Sequence, residues 1–346
     1  MERHSLDHAA ARRPRHVALG QTEKTSLRTN VFRVTPESGH CSTQSACCLL
    51  SPDQKLWFSI HLVVNLTNRG IAMSVDFSVV IPTFRRPALL GEAISSALRQ
   101  REVSIEIIVI DDSPEGSAEG TARRFGDSRI TYFKNPNPTG GFPSVVRNIG
   151  WPMASGTFVH FLDDDDIVVE GHYAAAKAAF SANPNVGLVF GRIEPFGDGP
   201  PAQLDHERRY FADAARKAAL SGRFGPRFAF TGRMLFDMTL LVCSSSVIRR
   251  ECVAQVGGFD PSIRLMEDAE YHVRAMRECG ALFLGRPAIR YRIGASSLMH
   301  SPDPTEAQKH GERLGHRQMQ AKYRKQRGAL EFYALALFTR TVLRIL

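Results

Sequence analysis

From Phe77 onward, short apolar runs alternate with stretches of helical spacing. Phe77-Ser78-Val79-Val80-Ile81 is a β-rich run closed by Pro82-Thr83, the pattern of a strand buried on both faces. Residues 87–100 place Leu89, Leu90, Ile94 and Leu98 at helical spacing. Residues 105–110 form a second apolar run, ending in Asp111-Asp112-Ser113. A helical stretch at 117–125, a strand at 129–133, a Pro-, Asn- and Gly-rich loop at 135–143 and a helix at 144–154, broken near Pro152, come next. Residues 157–162 read as another strand, which runs into four consecutive carboxylates, Asp163-Asp164-Asp165-Asp166. Strand and helix in alternation imply parallel βαβ units with right-handed crossovers. Ligands of such sheets sit beyond the carboxyl ends of the strands, where two acidic loops are expected here.

The second half is less regular. It predicts helices at 172–182, 204–220, 249–256 and from Glu267, strands at 186–190 and 238–247, a loop at 197–201 and a turn at Gly257-Gly258-Phe259-Asp260. Short strands are expected at 281–284 and 288–291. Residues 1–72 lack sustained periodicity and read as a poorly structured extension, so folding is expected to start at Met73. Residues 73–300 would then be the main folded domain and 301–346 a basic helical segment. The last 18 residues are largely apolar but interrupted by Glu331, Arg340 and Arg344, which suits a helix lying on a surface or packed on the domain, not a span. The apolar run at 56–66 is too short to cross a bilayer.

Charge refines this picture at the ends only. The net charge of +9 comes from the termini, because residues 73–300 hold 26 Lys/Arg and 26 Asp/Glu. Basic ends suit a peripheral contact with an anionic membrane face. No interleaving of aromatic and basic residues marks a nucleic-acid module, and no nucleic-acid partner is expected. The six cysteines show no CxxC pair and no regular framework, and no apolar leader core opens the chain. A cytoplasmic protein is the expectation.

Four adjacent carboxylates repel one another unless a cation offsets them. An oxygen-rich site of that kind suits Mg2+ or Mn2+, and such ions suit a phosphate-bearing substrate. The alternative at this point is a solvated acidic loop after a strand.

The segments Phe77 to Arg86, Ile108 to Ser113, Arg147-Asn148-Ile149-Gly150, Phe161 to Asp166, Gly257-Gly258-Phe259-Asp260 and Glu267-Asp268 occur in an order and spacing that resembles the family 2 glycosyltransferases. The resemblance implies a GT-A, Rossmann-like α/β fold: a mixed, mostly parallel central sheet with flanking helices. It implies an inverting transferase of cell-surface polysaccharide synthesis, with a nucleotide-sugar donor, most simply UDP-linked, and a glycan or lipid-linked acceptor. By the same resemblance Pro82, Thr83, Asp111 and Asp112 would lie along the nucleobase, Arg85 would contact the nucleotide-sugar, and Arg147 would reach the base or diphosphate. Asp163 and Asp164 would lie on the nucleotide, Asp163 and Asp165 would hold the divalent metal, and Asp268 would be the catalytic base. His300 stands near the place where relatives carry a His after Tyr291-Arg292. The competing readings are a metal-dependent nucleotidyltransferase and a nucleotide-sugar-binding scaffold without catalysis. The first lacks the expected Gly-rich phosphate loop near the first strand.

Overall fold

The computed structural model describes residues 74–294 and 306–345, with side chains over 310–344 of the second stretch. The expectations for residues 1–72 and for His300 lie outside the described residues. Eight strands form one sheet: β1 Phe77–Thr83, β2 Ile105–Asp111, β3 Ile130–Lys134, β4 Phe158–Phe161, β5 Ile167–Val168, β6 Leu188–Phe196, β7 Ser246–Arg249 and β8 Ala281–Arg292, in the order β3-β2-β1-β4-β7-β6-β8-β5. The helices are α1 Pro87–Leu98, α2 Glu119–Arg124, α3 Pro143–Gly150, α4 His172–Ala182, α5 Pro201–Ser221, α6 Phe228–Phe236, α7 Arg250–Val256, α8 Glu267–Cys279, α9 Glu306–Arg327 and α10 Ala329–Ile345.

The first four strands are parallel neighbours, so β1, β2 and β4 end on one edge. β7 runs antiparallel to both β4 and β6, which makes the sheet mixed. Alternation along the strands splits the core. Val79, Ile81, Ile107 and Val109 pack with Leu90 and Ile94 of α1 and with Tyr173 and Phe180 of α4. Val80, Ile108 and Ile110 face the other side, with Val146 and Ile149 of α3 and with α6 and α8. β4 pairs with β1 only as far as Val80, so Pro82, which lacks an N–H, sits where β1 has one neighbour.

Three differences from the expected elements have physical causes. The strand expected at 238–247 is only Ser246–Arg249, preceded by a one-turn helix at Cys243–Ser245. There the Ser245 hydroxyl donates to the Val242 carbonyl and the Val242 N–H donates back to Ser245 Oγ, a local closure that competes with sheet pairing. α6 was not anticipated because Ala229 to Leu235 are all buried, and a helix covered on every side shows no amphipathic period. The two short strands expected after 280 are one long bent strand, β8, with Gly285 in the left-handed region (φ 68°) at the bend. Cys252 and Cys279 are disulfide-bonded, joining α7 to the end of α8, a pairing that their spacing did not announce.

The two C-terminal helices pack on the domain. α10 lays Leu335, Thr339 and Leu343 on α6, where Arg233 donates to the Leu343 carbonyl at 2.6 Å. No helix among the described residues is long and apolar enough to cross a membrane.

Candidate active site

The parallel strand ends deliver their loops to one cleft of about 1230 Å³. Pro82, Thr83, Arg85, Arg86, Arg147, Asp163, Asp164 and Asp165 line it from the sheet edge, with Glu267 and Asp268 beside them. The four-carboxylate run is held apart by cations and hydroxyls. Asp163 accepts from Arg147 Nη2 at 2.6 Å, and Asp165 accepts from Arg86 Nη1 at 2.9 Å. Asp164 accepts from the Thr83 hydroxyl at 2.6 Å and lies almost wholly buried. Burial, with the neighbouring Asp165 charge next, pushes its carboxyl up to about 7. Burial also raises Asp165 and Asp166. Asp166 turns away from the cleft and accepts from the Arg292 backbone N–H.

Arg147 ties the acidic loop to the second acidic pair. Its Nη1 donates to Glu267 at 3.1 Å while Nη2 holds Asp163, and its guanidinium lies over the Phe259 ring. Phe259 is fixed in turn by Asn148, which exchanges two 2.8 Å hydrogen bonds with its backbone. A Cβ at Gly258 would overlap the Asn148 amide. The Arg147-Asn148 and Gly258-Phe259 motifs are thus two sides of one contact.

Glu267 and Asp268 open α8 after Met266, which adopts the left-handed conformation (φ 69°) that turns the chain into the helix. Burial, followed by the Asp268 charge, pushes Glu267 up to about 7, with Arg147 pulling the other way. Asp268 is also raised by burial, against the opposing pull of Arg147. A carboxylate with a raised proton affinity at a helix start is unusual, because the dipole there favours the anion.

Two of the expected residues are placed apart from the cleft lining. Asp111 and Asp112 are fully buried and do not line the cleft. Asp111 accepts from Ser113 N, Ala118 N and Tyr132 Oη. Asp112 accepts from Asn135, from the Thr139 backbone and hydroxyl, and from Gly141 N. Saturated by protein donors, the two acids fix the loops that carry the cleft wall. The Arg85 side chain is drawn outward into an exposed pair with Glu115.

The sequence matches the profile of "Glycosyl transferase family 2" over residues 78–256, which is just over half of the chain. The chain belongs to glycosyl transferase family 2. Among the relatives of this family 2 protein, a "GalNAc(5)-diNAcBac-PP-undecaprenol beta-1,3-glucosyltransferase" of Campylobacter jejuni is 40% identical over 116 residues, 33% of this chain and 37% of the relative. A "UDP-Glc:alpha-D-GlcNAc-diphosphoundecaprenol beta-1,3-glucosyltransferase" of Escherichia coli is 29% identical over 117 residues, 34% of this chain and 45% of the relative. The chain therefore aligns with less than half the length of either. Among solved structures, S. aureus TarS 1–349 in complex with UDP-GlcNAc superposes with a TM-score of 0.50 at 16% identity, covering 72% of this chain and 67% of that one. That likeness places the protein in the GT-A fold.

Two groups of residues in this family 2 site were not anticipated. Arg86, next to Arg85, pairs with both Asp164 and Asp165, and Arg292 donates from Nε to the Asp165 carbonyl. The need of an acidic run for cations was the available signal for both. The second group is helical: His206, Glu207 and Tyr210 of α5, and Glu312, Arg313, His316, Arg317 and Gln320 of α9, complete the cleft. These are polar positions on amphipathic helices, and only the tertiary packing shows which of them face the site.

Proposed function

We propose that this protein is an inverting glycosyltransferase that moves a sugar from a UDP-linked donor to a hydroxyl of a lipid-linked glycan. The observation that carries the reading is that Asp163, Asp165 and Asp268 share one cleft, in which Arg147 bridges Asp163 to Glu267, the chain neighbour of Asp268. The E. coli and C. jejuni relatives, whose names include UDP-glucose and undecaprenyl-diphosphate acceptors respectively, support the substrate classes.

A divalent metal fits the donor set. Among the described residues no three Asp, Glu, His or Cys side chains form a ready metal cage. Mg2+ and its like are, however, commonly held by one or two carboxylates together with substrate phosphates and water, and Asp163 and Asp165 present two carboxylates on one loop. Bound there, the ion would neutralise charge on the leaving diphosphate. Thr83 and Arg86 hold the loop in place through Asp164 and Asp165. Asp268 takes the proton of the acceptor hydroxyl as that oxygen bonds to the anomeric carbon. The bond from that carbon to the phosphate oxygen breaks on the opposite face, and its electron pair leaves with UDP. One displacement needs one base, and the raised proton affinity of Asp268 suits the task.

We place the protein in peripheral contact with an anionic membrane face through the outer side of α10. Leu330 (88% exposed), Leu337 (65%) and Tyr333 stand there beside the exposed Arg340 and Arg344. This combination suits insertion into a headgroup layer. The reading is tested by thermal unfolding with nucleotide sugars and Mn2+, since ligand that binds only the native state raises the melting temperature. A chain starting at Met73 is expected to respond as the full chain does. No UDP-linked sugar stabilising the protein, with or without metal, would overturn the reading.

A further inference from the structure

Most arginines on the cleft wall have a counter-ion. Arg85 pairs with Glu115, Arg86 with Asp164 and Asp165, Arg147 with Asp163 and Glu267, and Arg292 with Glu92. Arg264 and Arg317 differ. Both are exposed to the cleft, and among the described residues neither has a carboxylate within ion-pair distance; Arg264 only rests on the Phe142 ring. Two forked cations without protein anions, on the wall of a ligand cleft, favour an anionic ligand.

The packing of α9 locates that ligand. Gly311 and Gly315 let the helix backbone lie directly on Leu265 and Met266: a Cβ at Gly315 would overlap the Leu265 carbonyl, and one at Gly311 would meet the Leu265 side chain at 2.6 Å. The helix is held there by Gln320, which donates to the Leu235 carbonyl, and by Lys322, which pairs with Asp260 and Glu270. Residues 312, 313, 316, 317 and 320 form one helical stripe facing the cleft. This stripe rises beside the turn through Met266 that delivers Asp268. An acceptor hydroxyl must come within hydrogen-bond reach of its base, so the groups attached to the acceptor sugar lie along α9.

We propose that Arg264 and Arg317 form an acceptor subsite for a phosphate or diphosphate borne by the acceptor sugar, the linkage through which a lipid carrier would be attached. The proposal rests on the reading of Asp268 as the base that faces the acceptor. It gives α9 a specificity role separate from the sheet-edge acids that face the donor.

The test uses the full chain loaded with labelled UDP and excess Mn2+, so that the donor half is filled. Geranyl diphosphate and geraniol are then titrated as probes with and without the anion. The diphosphate is expected to bind about tenfold or more tighter than the alcohol, the scale of a charge-assisted hydrogen bond. The Arg264→Gln/Arg317→Gln double variant should bind UDP as wild type does and lose that preference. Both side chains are exposed, so its melting temperature should not move; should it fall, the single Arg317→Gln variant carries the same comparison with a smaller loss. Equal binding of the two probes by the wild type, an undiminished preference in the variants, or displacement of UDP by the diphosphate would each overturn the subsite. Failure of UDP itself to bind would instead count against the donor reading, so the two failures are separable.

Discussion

The cleft has two walls built on different physical terms. The sheet-edge wall hangs from long parallel strands, and its loops are locked by buried acids that the protein itself saturates, as Asp112 does with Asn135, Thr139 and Gly141. Its arginines are all paired. The helical wall is made of exposed and half-buried side chains on α5 and α9, and the close approach of α9 through Gly311 and Gly315 sets its position. The contrast suggests a division of labour. Groups that must meet developing charge at fixed geometry sit where the backbone is rigid, as electrostatic preorganisation requires. Groups that recognise a partner sit on helix faces, where side chains can differ without disturbing the sheet.

The strongest way to break this division is at Asp268, where the walls meet. Asp268→Asn should lower the transfer rate by roughly 10²–10⁴-fold, the range for removal of a general base, while metal-dependent UDP binding stays near wild type. Transfer at the wild-type rate would move the base elsewhere, with Glu267 or Asp260 next to be examined. Asp165→Asn should do the converse and weaken UDP binding in the presence of Mn2+ by about tenfold or more, as loss of a charged contact does. Equal UDP affinity with and without Asp165 would leave the acidic loop without a part in donor binding.

The two faces of α10 extend the comparison away from the cleft. Leu335 is fully buried against α6, so Leu335→Ala should cost about 2–5 kcal/mol in unfolding free energy, measured by denaturant titration. Leu330→Glu with Leu337→Glu lies on the opposite, exposed face and should leave stability unchanged, within about 0.5 kcal/mol. The same pair should abolish sedimentation with phosphatidylserine vesicles. Undiminished sedimentation would remove α10 from the membrane contact.

The legibility of the sequence followed the same boundary. Strands β1, β2 and β4 were readable because burial on both faces writes a nearly continuous apolar run, and the acids at their ends stand out against it. Which of those acids face a ligand was not readable. Asp111 and Asp112 look like site residues by position, yet their hydrogen-bond partners arrive from residues 113–141, which no local pattern announces. Arg86 and Arg85 are adjacent and chemically alike; the left-handed backbone at Arg85 (φ 57°) accompanies a side chain sent to Glu115, and its neighbour goes to the acidic loop. α6 left no trace because it is buried all round. The α9 stripe left none because a polar residue facing a cleft and one facing solvent have the same signature.

The smallest effect concerns what lies beneath both walls. His160 on β4, His172 on α4 and His272 on α8 are fully buried. Burial is the first cause that drives their proton affinities down, to about 4 for His160 and about 3 for His172 and His272. For His172 the charges of His160 and Arg286 act in the same direction, and neither ring nitrogen has a hydrogen-bond partner among the described residues. A histidine of the unfolded chain takes up its proton near pH 6.5, whereas the folded one does so only near 3 to 4. Between those values the unfolded state binds more protons. The stability they contribute is therefore complete above pH about 6.5 and is lost as the pH falls, at about 1.4 kcal/mol per pH unit for each histidine. His172→Phe cannot titrate. Its larger ring changes the packing and with it the overall level of stability, so the readout is the slope of unfolding free energy against pH, not its level. Between pH about 4.5 and 6 that slope should correspond to one proton fewer taken up on unfolding than in the wild type. An unchanged slope would mean that His172 carries its proton in the folded protein, and that the floor beneath the sheet-edge wall is wetter than its burial implies.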